Sequence, residues 1–211
     1  MSKLTIIPDI LEQNIDKVKE KIPTVIEFTN QVHIDIMDGI MVDNITIDLG
    51  QLFELNLLEK LKIDVHLMVE YPIEYLGDCH QIHAYRAFAQ IEKMHSQFEF
   101  VEKAKDLNVK PCLALDLYTP VESIEKELYS DLDGILIMSV KAGWSGQEFS
   151  DTSIQKVKDL RKLGYQGHIL MDGGMTDKTI CPCLEAGADE FAVNSYFWNA
   201  EDKKAILEMG C

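Results

Sequence analysis

The stretch QVHIDIMDGIMVDNIT, residues 31–46, sets a histidine and an aspartate two residues apart inside an apolar run. On a β-strand, residues i and i+2 point to one side. His33 and Asp35 would therefore share a face with Met37. His66 interrupts DVHLM, and Asp172 interrupts ILMDGG, in the same way. Burial disfavours charge and penalises unpaired polar atoms, so each of these residues needs a partner. Two imidazoles and two carboxylates brought together would suit one borderline divalent cation, with zinc, iron, manganese and cobalt all compatible.

The elements that must position these groups can be read from the alternation of patterns. Eight β-rich runs recur: LTIIPDI (4–10), QVHIDIM (31–37), IDVHLMV (63–69), QIHAY (81–85), KPCLALD (110–116), GILIMSV (134–140), GHILMDG (167–173) and EFAVNSYF (190–197). Several are almost continuously apolar, as expected of parallel strands covered on both faces. Helical patterns lie between them. TPVESIEKELYS offers Thr119 as N-cap, Pro120 at the first helical position and Glu122 two residues further on. SDTSIQKVKDLRKLG ends on Gly164 and TDKTICPCLEAGA on Gly187, both natural positions for a helix stop. Pro182 must then sit in the first turn of its helix or kink it. The segment 88–107 is helical in composition.

Eight strands alternating with helices in 211 residues predict an α/β fold, a single (β/α)₈ barrel spanning 1–211. An open doubly wound sheet is the rival, but it would have fewer strands and a glycine-rich first loop. The segment IIPDILEQN contains no glycine. Barrel sites gather at the C-terminal ends of the strands. His33, Asp35, His66 and Asp172 fall at those ends. A single strand histidine is more often a hydrogen-bonded core residue, but four such interruptions at equivalent depth favour a shared site.

Composition narrows the partners. The chain is 46% hydrophobic and 27% charged, with 36 Asp and Glu against 20 Lys and Arg, a net charge of −16. Such acidity repels phosphate backbones and anionic membranes, so neither nucleic acid nor membrane is an expected partner. No long apolar run or signal pattern is evident, which leads us to expect a cytoplasmic protein. The five cysteines are odd in number and irregularly spaced, and Cys181-Pro-Cys183 has no second pair to make a zinc knuckle. All five are expected to be reduced thiols.

HIDIMDGIMVDNIT, DVHLMV, MSVKAGWSGQEF and MDGG together resemble the ribulose-phosphate 3-epimerase family, and the resemblance runs from IIPDIL to AGADEFAVNSYF. It implies one divalent metal, most often zinc, held by His33, Asp35, His66 and Asp172. It further implies that Asp35 and Asp172 are the acid/base pair of a two-aspartate epimerisation at C3 of a ketose phosphate. By default this converts D-ribulose 5-phosphate to D-xylulose 5-phosphate. Epimerisation beside a ketone removes a proton from one face of a carbon and returns one to the other, through an enediolate whose charge a metal would stabilise. Met37, Met68 and Met138 match methionines that line the family's cavity. Gly143, Trp144, Ser145 and Gly146, then Gly173 and Gly174, then Asn194 and Ser195, match its phosphate loops, where small residues let main-chain amides approach an anion. The resemblance also implies a homo-oligomer.

The departures from the family pattern surround the substrate. Where the family has Pro-Ser-Ile-Leu, this chain has Pro8-Asp9-Ile10-Leu11, which places a carboxylate in the substrate set. Gly-Phe-Gly-Gly becomes Gly143-Trp144-Ser145-Gly146, and the final Gly-Ser becomes Asn194-Ser195. Lys141-Ala142 replaces the residues before the loop, with Lys141 either near an anionic group or simply solvated. Asp43 stands for a proline. The His-x-Glu after strand 4 is read as His83-Ala84-Tyr85. A paralogue acting on another ketose phosphate, such as a six-carbon one, is therefore one alternative. A catalytically silent sugar-phosphate binder is another. The related decarboxylases carry a lysine in strand 3, and DVHLMV has none.

Overall fold

Alternation along each strand decides what the chain encloses. In β1 (Thr5–Ile10) Ile7 points one way and Ile6 and Ile10 the other. The same split repeats in β2 (Gln31–Met37), β3 (Lys62–Met68), β4 (Arg86–Gln90), β5 (Lys110–Leu115), β6 (Gly134–Met138), β7 (His168–Asp172) and β8 (Glu190–Val193). The computed structural model, which describes residues 4–211, closes these eight parallel strands into a barrel in sequential order, with β8 returning to β1. Two apolar clusters result. The larger lies between the barrel's outer face and the surrounding helices, joining Ile34, Val65 and Ile137 to Val18, Phe100 and Leu160. The smaller fills the lumen with Ile7, Phe88, Cys112, Leu136 and Leu170, and with Met37, Met68 and Met138 above them.

The lumen is closed at the strands' N-terminal ends by an ion-paired plug. Arg86, 1% exposed, donates from Nε and Nη2 to Asp64 at 2.9 and 2.6 Å, and from Nη1 to Glu190 at 2.7 Å. Bidentate pairing satisfies a buried guanidinium.

The outer layer comprises α1 (Ile15–Phe28), α2 (Leu76–Gln81), α3 (Gln97–Asp106), α4 (Thr152–Lys162), α5 (Asp177–Ala186), α6 (Ser195–Trp198) and α7 (Lys203–Leu207). The helix ending at Gly164 and the one ending at Gly187 are found as expected. Pro182 sits beyond the first turn of α5, and the helix continues through it to Ala186. The carbonyl it deprives of a bond belongs to exposed Lys178, where water can serve.

Four expectations are corrected. Residues 81–85 are not a strand: α2 ends there, and the chain turns at exposed His83 with φ +55°. The true strand is RAFAQ, which two alanines made a weak β signal. It also shortens the helix expected over 88–107 to α3, which begins after Ser96, whose hydroxyl accepts from Glu99 N at 3.2 Å. Residues 119–130 form two short 3₁₀ turns, Val121–Ser123 and Lys126–Leu128, in place of one helix. The Gln97 side chain donates to Ser123 O at 2.7 Å and accepts from Glu125 N at 3.0 Å, taking two main-chain groups a helix would use internally. The cysteines also differ: Cys181 and Cys211 are joined in a disulfide, while Cys79, Cys112 and Cys183 are buried thiols. Among the described residues no helix is long and apolar enough to cross a membrane.

Candidate active site

The pairing register places the four expected donors together. Asp35 on β2 lies opposite His66 on β3, and Asp172 ends β7. One ligand atom from each of His33, Asp35, His66 and Asp172 lies within 4.8 Å of all the others, and all four residues are buried. His66 Nδ1 is 2.9 Å from Asp35 Oδ1 and 3.7 Å from Asp172 Oδ2. His33 Nε2 is 3.7 Å from Asp35 Oδ1, and neither of its ring nitrogens has a hydrogen-bond partner.

Burial dominates the electrostatics of this cluster. Burial, then the neighbouring Asp172, raises the Asp35 carboxyl well above its usual range. Burial, then Asp9, raises Asp172 to about 7. Burial lowers His66 to about 4 and, with His66 beside it, also lowers His33. Every member is thus driven towards its neutral form. A cation among them would reverse that for the two carboxyls, by favouring their ionised form, and would keep the imidazoles neutral. The unpartnered Nε2 of His33 beside Asp35 and the mixed nitrogen and oxygen donors fit a divalent ion.

Above the donors lies a cavity of about 480 Å³, open to solvent. Its wall contains Asp9, Met37, Met68, Met138, Gly143, Trp144, Ser145, Gly146, Gly173, Gly174, Asn194 and Ser195, together with Asp35 and Asp172. His33 and His66 lie out of reach of solvent, below that wall. The wall also takes in Gln147, which continues the Gly143–Gly146 loop, and Leu11, Val140, Met175 and Ala192, for which the sequence carried no polar signal. Gly173 and Gly174 have φ of +95° and +62°. A Cβ on Gly173 would meet Val140 Cγ2 at 2.5 Å, and one on Gly174 would meet the Phe149 main chain at 3.1 Å. Only glycine fits both the conformation and the space, so main chain rather than side chain faces the cavity here.

Asp9 is 2% exposed. Its Oδ2 accepts from Asn194 Nδ2 at 2.8 Å, its carbonyl accepts from Trp198 Nε1 at 2.6 Å, and its Oδ1 has no partner. Two separate departures in the sequence are therefore one hydrogen-bonded pair. Lys141 is exposed and faces an adjoining cavity with Glu92 and Asp116, outside the main one. Asp43 is exposed beside that same cavity. His83 lies away from the mouth, in a surface groove with Leu52 and Phe53. The triplet at the end of strand 4 is instead Gln90-Ile91-Glu92.

Three further residues hold the site. Thr46 Oγ1 donates to Asp35 O and accepts from Met37 N, both at 2.9 Å, fixing the end of β2. Asn44 accepts from Gln13 at 2.8 Å and donates to Gly143 O at 2.7 Å, tying three loops together. Ser139 Oγ, fully buried, donates to Asp172 O at 3.0 Å and also touches Gly173 O. None of the three stands out in sequence, because Ser, Thr and Asn are ordinary loop residues.

The chain is similar to known proteins in sequence and in fold. A family model described as "Ribulose-phosphate 3 epimerase family" matches residues 5–198. A ribulose-phosphate 3-epimerase of Methanocaldococcus jannaschii is 32% identical, covering 83% of this chain and 76% of that protein. One of Bacillus subtilis is also 32% identical, over 84% of each. Among solved structures, a tryptophan synthase α-subunit from Pyrococcus furiosus superposes with a TM-score of 0.71 at 13% identity, covering 94% of this chain and 91% of that one, a likeness of fold.

Proposed function

Because the chain belongs to the ribulose-phosphate 3-epimerase family, and is thus an isomerase, we propose that it inverts C3 of a ketose phosphate with Asp35 and Asp172 as its two proton-transfer groups. The default substrate is D-ribulose 5-phosphate, giving D-xylulose 5-phosphate. The observation that carries this reading is the pair of buried carboxylates itself. They stand on β2 and β7, with β8 and β1 between them, and both line one cavity. One takes the proton from C3 and the other returns a proton to the opposite face. A divalent ion held by His33, Asp35, His66 and Asp172, zinc in the first instance, would supply positive charge beside the oxygen on which negative charge develops. Met37, Met68 and Met138 keep water from that carbon with apolar, polarizable side chains. The loops carrying Gly143, Trp144, Ser145 and Gly146, Gly173 and Gly174, and Asn194 and Ser195 receive the phosphate.

The test is exchange of the C3 proton in deuterated water with ribulose 5-phosphate. Wild type should epimerise and incorporate deuterium. Asp35→Asn and Asp172→Asn should each abolish epimerisation, while one variant retains slow exchange from the surviving face. A silent binder would exchange nothing, and near wild-type epimerisation in either variant would remove the two-base assignment.

A second reading concerns the sugar. The partnerless Oδ1 of Asp9, buried in the cavity wall, supports a substrate that donates a hydroxyl hydrogen bond there. On that ground another phosphorylated ketose is turned over faster than ribulose 5-phosphate. Relative kcat/KM across a panel of five- and six-carbon ketose phosphates tests this, and a clear preference for ribulose 5-phosphate would sink it.

A further inference from the structure

Gln90 ends β4 and is completely buried at the side of His66 turned away from the carboxylates. Its Nε2 is 3.0 Å from His66 Nε2, while its Oε1 has no partner. An amide nitrogen only donates, so His66 Nε2 accepts here. The ring proton then lies on Nδ1, which donates to Asp35 Oδ1 at 2.9 Å. Yet Nδ1 is also the nitrogen that faces Asp35 and Asp172 together, and is the one placed to ligate. Ligation requires Nδ1 to be bare and the proton to sit on Nε2. An N–H at Nε2 would then meet the amide hydrogens of Gln90, unless the amide turns over.

A carboxamide presents oxygen or nitrogen in the same shape after half a turn. The far end of the Gln90 amide has no partner, so among the described residues no other hydrogen bond selects its orientation. We propose that Gln90 is a positioning residue that serves both tautomers of His66. It donates to Nε2 when the ring proton is on Nδ1, and accepts from Nε2–H through Oε1 when Nδ1 binds the metal. The imidazole stays neutral throughout: Nδ1 gives up one proton and Nε2 gains one. The inference rests on the metal-site reading above, and assigns to Gln90 the orientation of one ligand.

Zinc affinity measured by competition with a chromophoric chelator tests it, alongside nitrogen NMR of the His66 ring in the zinc-loaded protein. Gln90→Met keeps the shape and removes the acceptor, and should weaken zinc binding about 10–100-fold. Gln90→Glu keeps an acceptor and should bind zinc within a few-fold of wild type. In the zinc-loaded wild type the His66 proton should be on Nε2. Equal affinity in Gln90→Met, equal loss in both variants, or a proton on Nδ1 in the loaded protein overturns the proposal. Should Gln90→Met fail to fold, the Gln90→Glu affinity and the wild-type spectrum still decide. A wild type that takes up no zinc overturns the metal-site reading, and this proposal with it.

Discussion

Asp9 and Asn194 show how a single contact changes the reading of a substitution. Each looks like an independent departure in sequence, but their side chains are 2.8 Å apart. Asp9→Ser alone strands the Asn194 amide, and Asn194→Gly alone strands a second carboxylate oxygen. The two should therefore be non-additive, with a coupling of about 0.5–3 kcal/mol in kcat/KM. The double variant should turn over ribulose 5-phosphate faster than either single one, and faster again with Ser145→Gly. Kinetics of the full set check this, and additive effects would contradict it. The donors make a second prediction. Asp35 and Asp172 are raised by burial, Asp172 to about 7, so protons would compete with an ion bound there. Affinity should fall as pH drops below about 7, about tenfold per unit for each proton displaced. Calorimetry in buffers of different ionisation enthalpy counts those protons. His33, Asp35, His66 and Asp172 were legible because a polar residue in an apolar strand is conspicuous. Gln90 obeys the same rule, at the end of RAFAQ, but was missed because strand 4 was placed five residues early.

At the scale of elements, the barrel's strands were legible except for strand 4 and for the end of the run 190–197, where Ser195–Trp198 is helix, and its connections were less so. Inward and outward faces follow from period two, which local sequence carries. The 3₁₀ turns over 121–128 depend on Gln97, 24 or more residues away, and no window of sequence contains that contact. The loops over the mouth have the same character. Asn44 holds Gly143 O at 2.7 Å from a loop 99 residues distant. Asn44→Ala removes that buried hydrogen bond, worth about 1–2 kcal/mol, and loosens the wall opposite the donors. KM for the sugar phosphate should rise about tenfold while zinc content stays at wild-type level. Steady-state kinetics with metal analysis check the split, and loss of zinc would place Asn44 in a different role.

Across the whole molecule the lumen is layered: an ion-paired plug at one end, an apolar middle, and the donors at the mouth. The plug cannot lose its cation cheaply. Arg86→Met leaves Asp64 and Glu190 buried without a counter-charge and should destabilise by about 3–5 kcal/mol, read from the urea midpoint at neutral pH. A midpoint within error of wild type would show the plug to be dispensable. Asp64 and Glu190 were visible as strand charges, but Arg86 fell just past the strand expected at 81–85, and the convergence of the three needed the closed barrel. The disulfide was least legible of all, since the path of the segment after α7 decides which thiol meets Cys181. That bond has a topological meaning. Residues 181 to 211 form a covalent ring, and the ring contains β8, whose Glu190–Val193 pairs with Thr5–Pro8 to seal the barrel. A single backbone cut anywhere within the ring would release no fragment. On a gel the cut chain should migrate at full length until thiol is added. While the bond lasts, the strand that seals the barrel can peel away only as a closed loop.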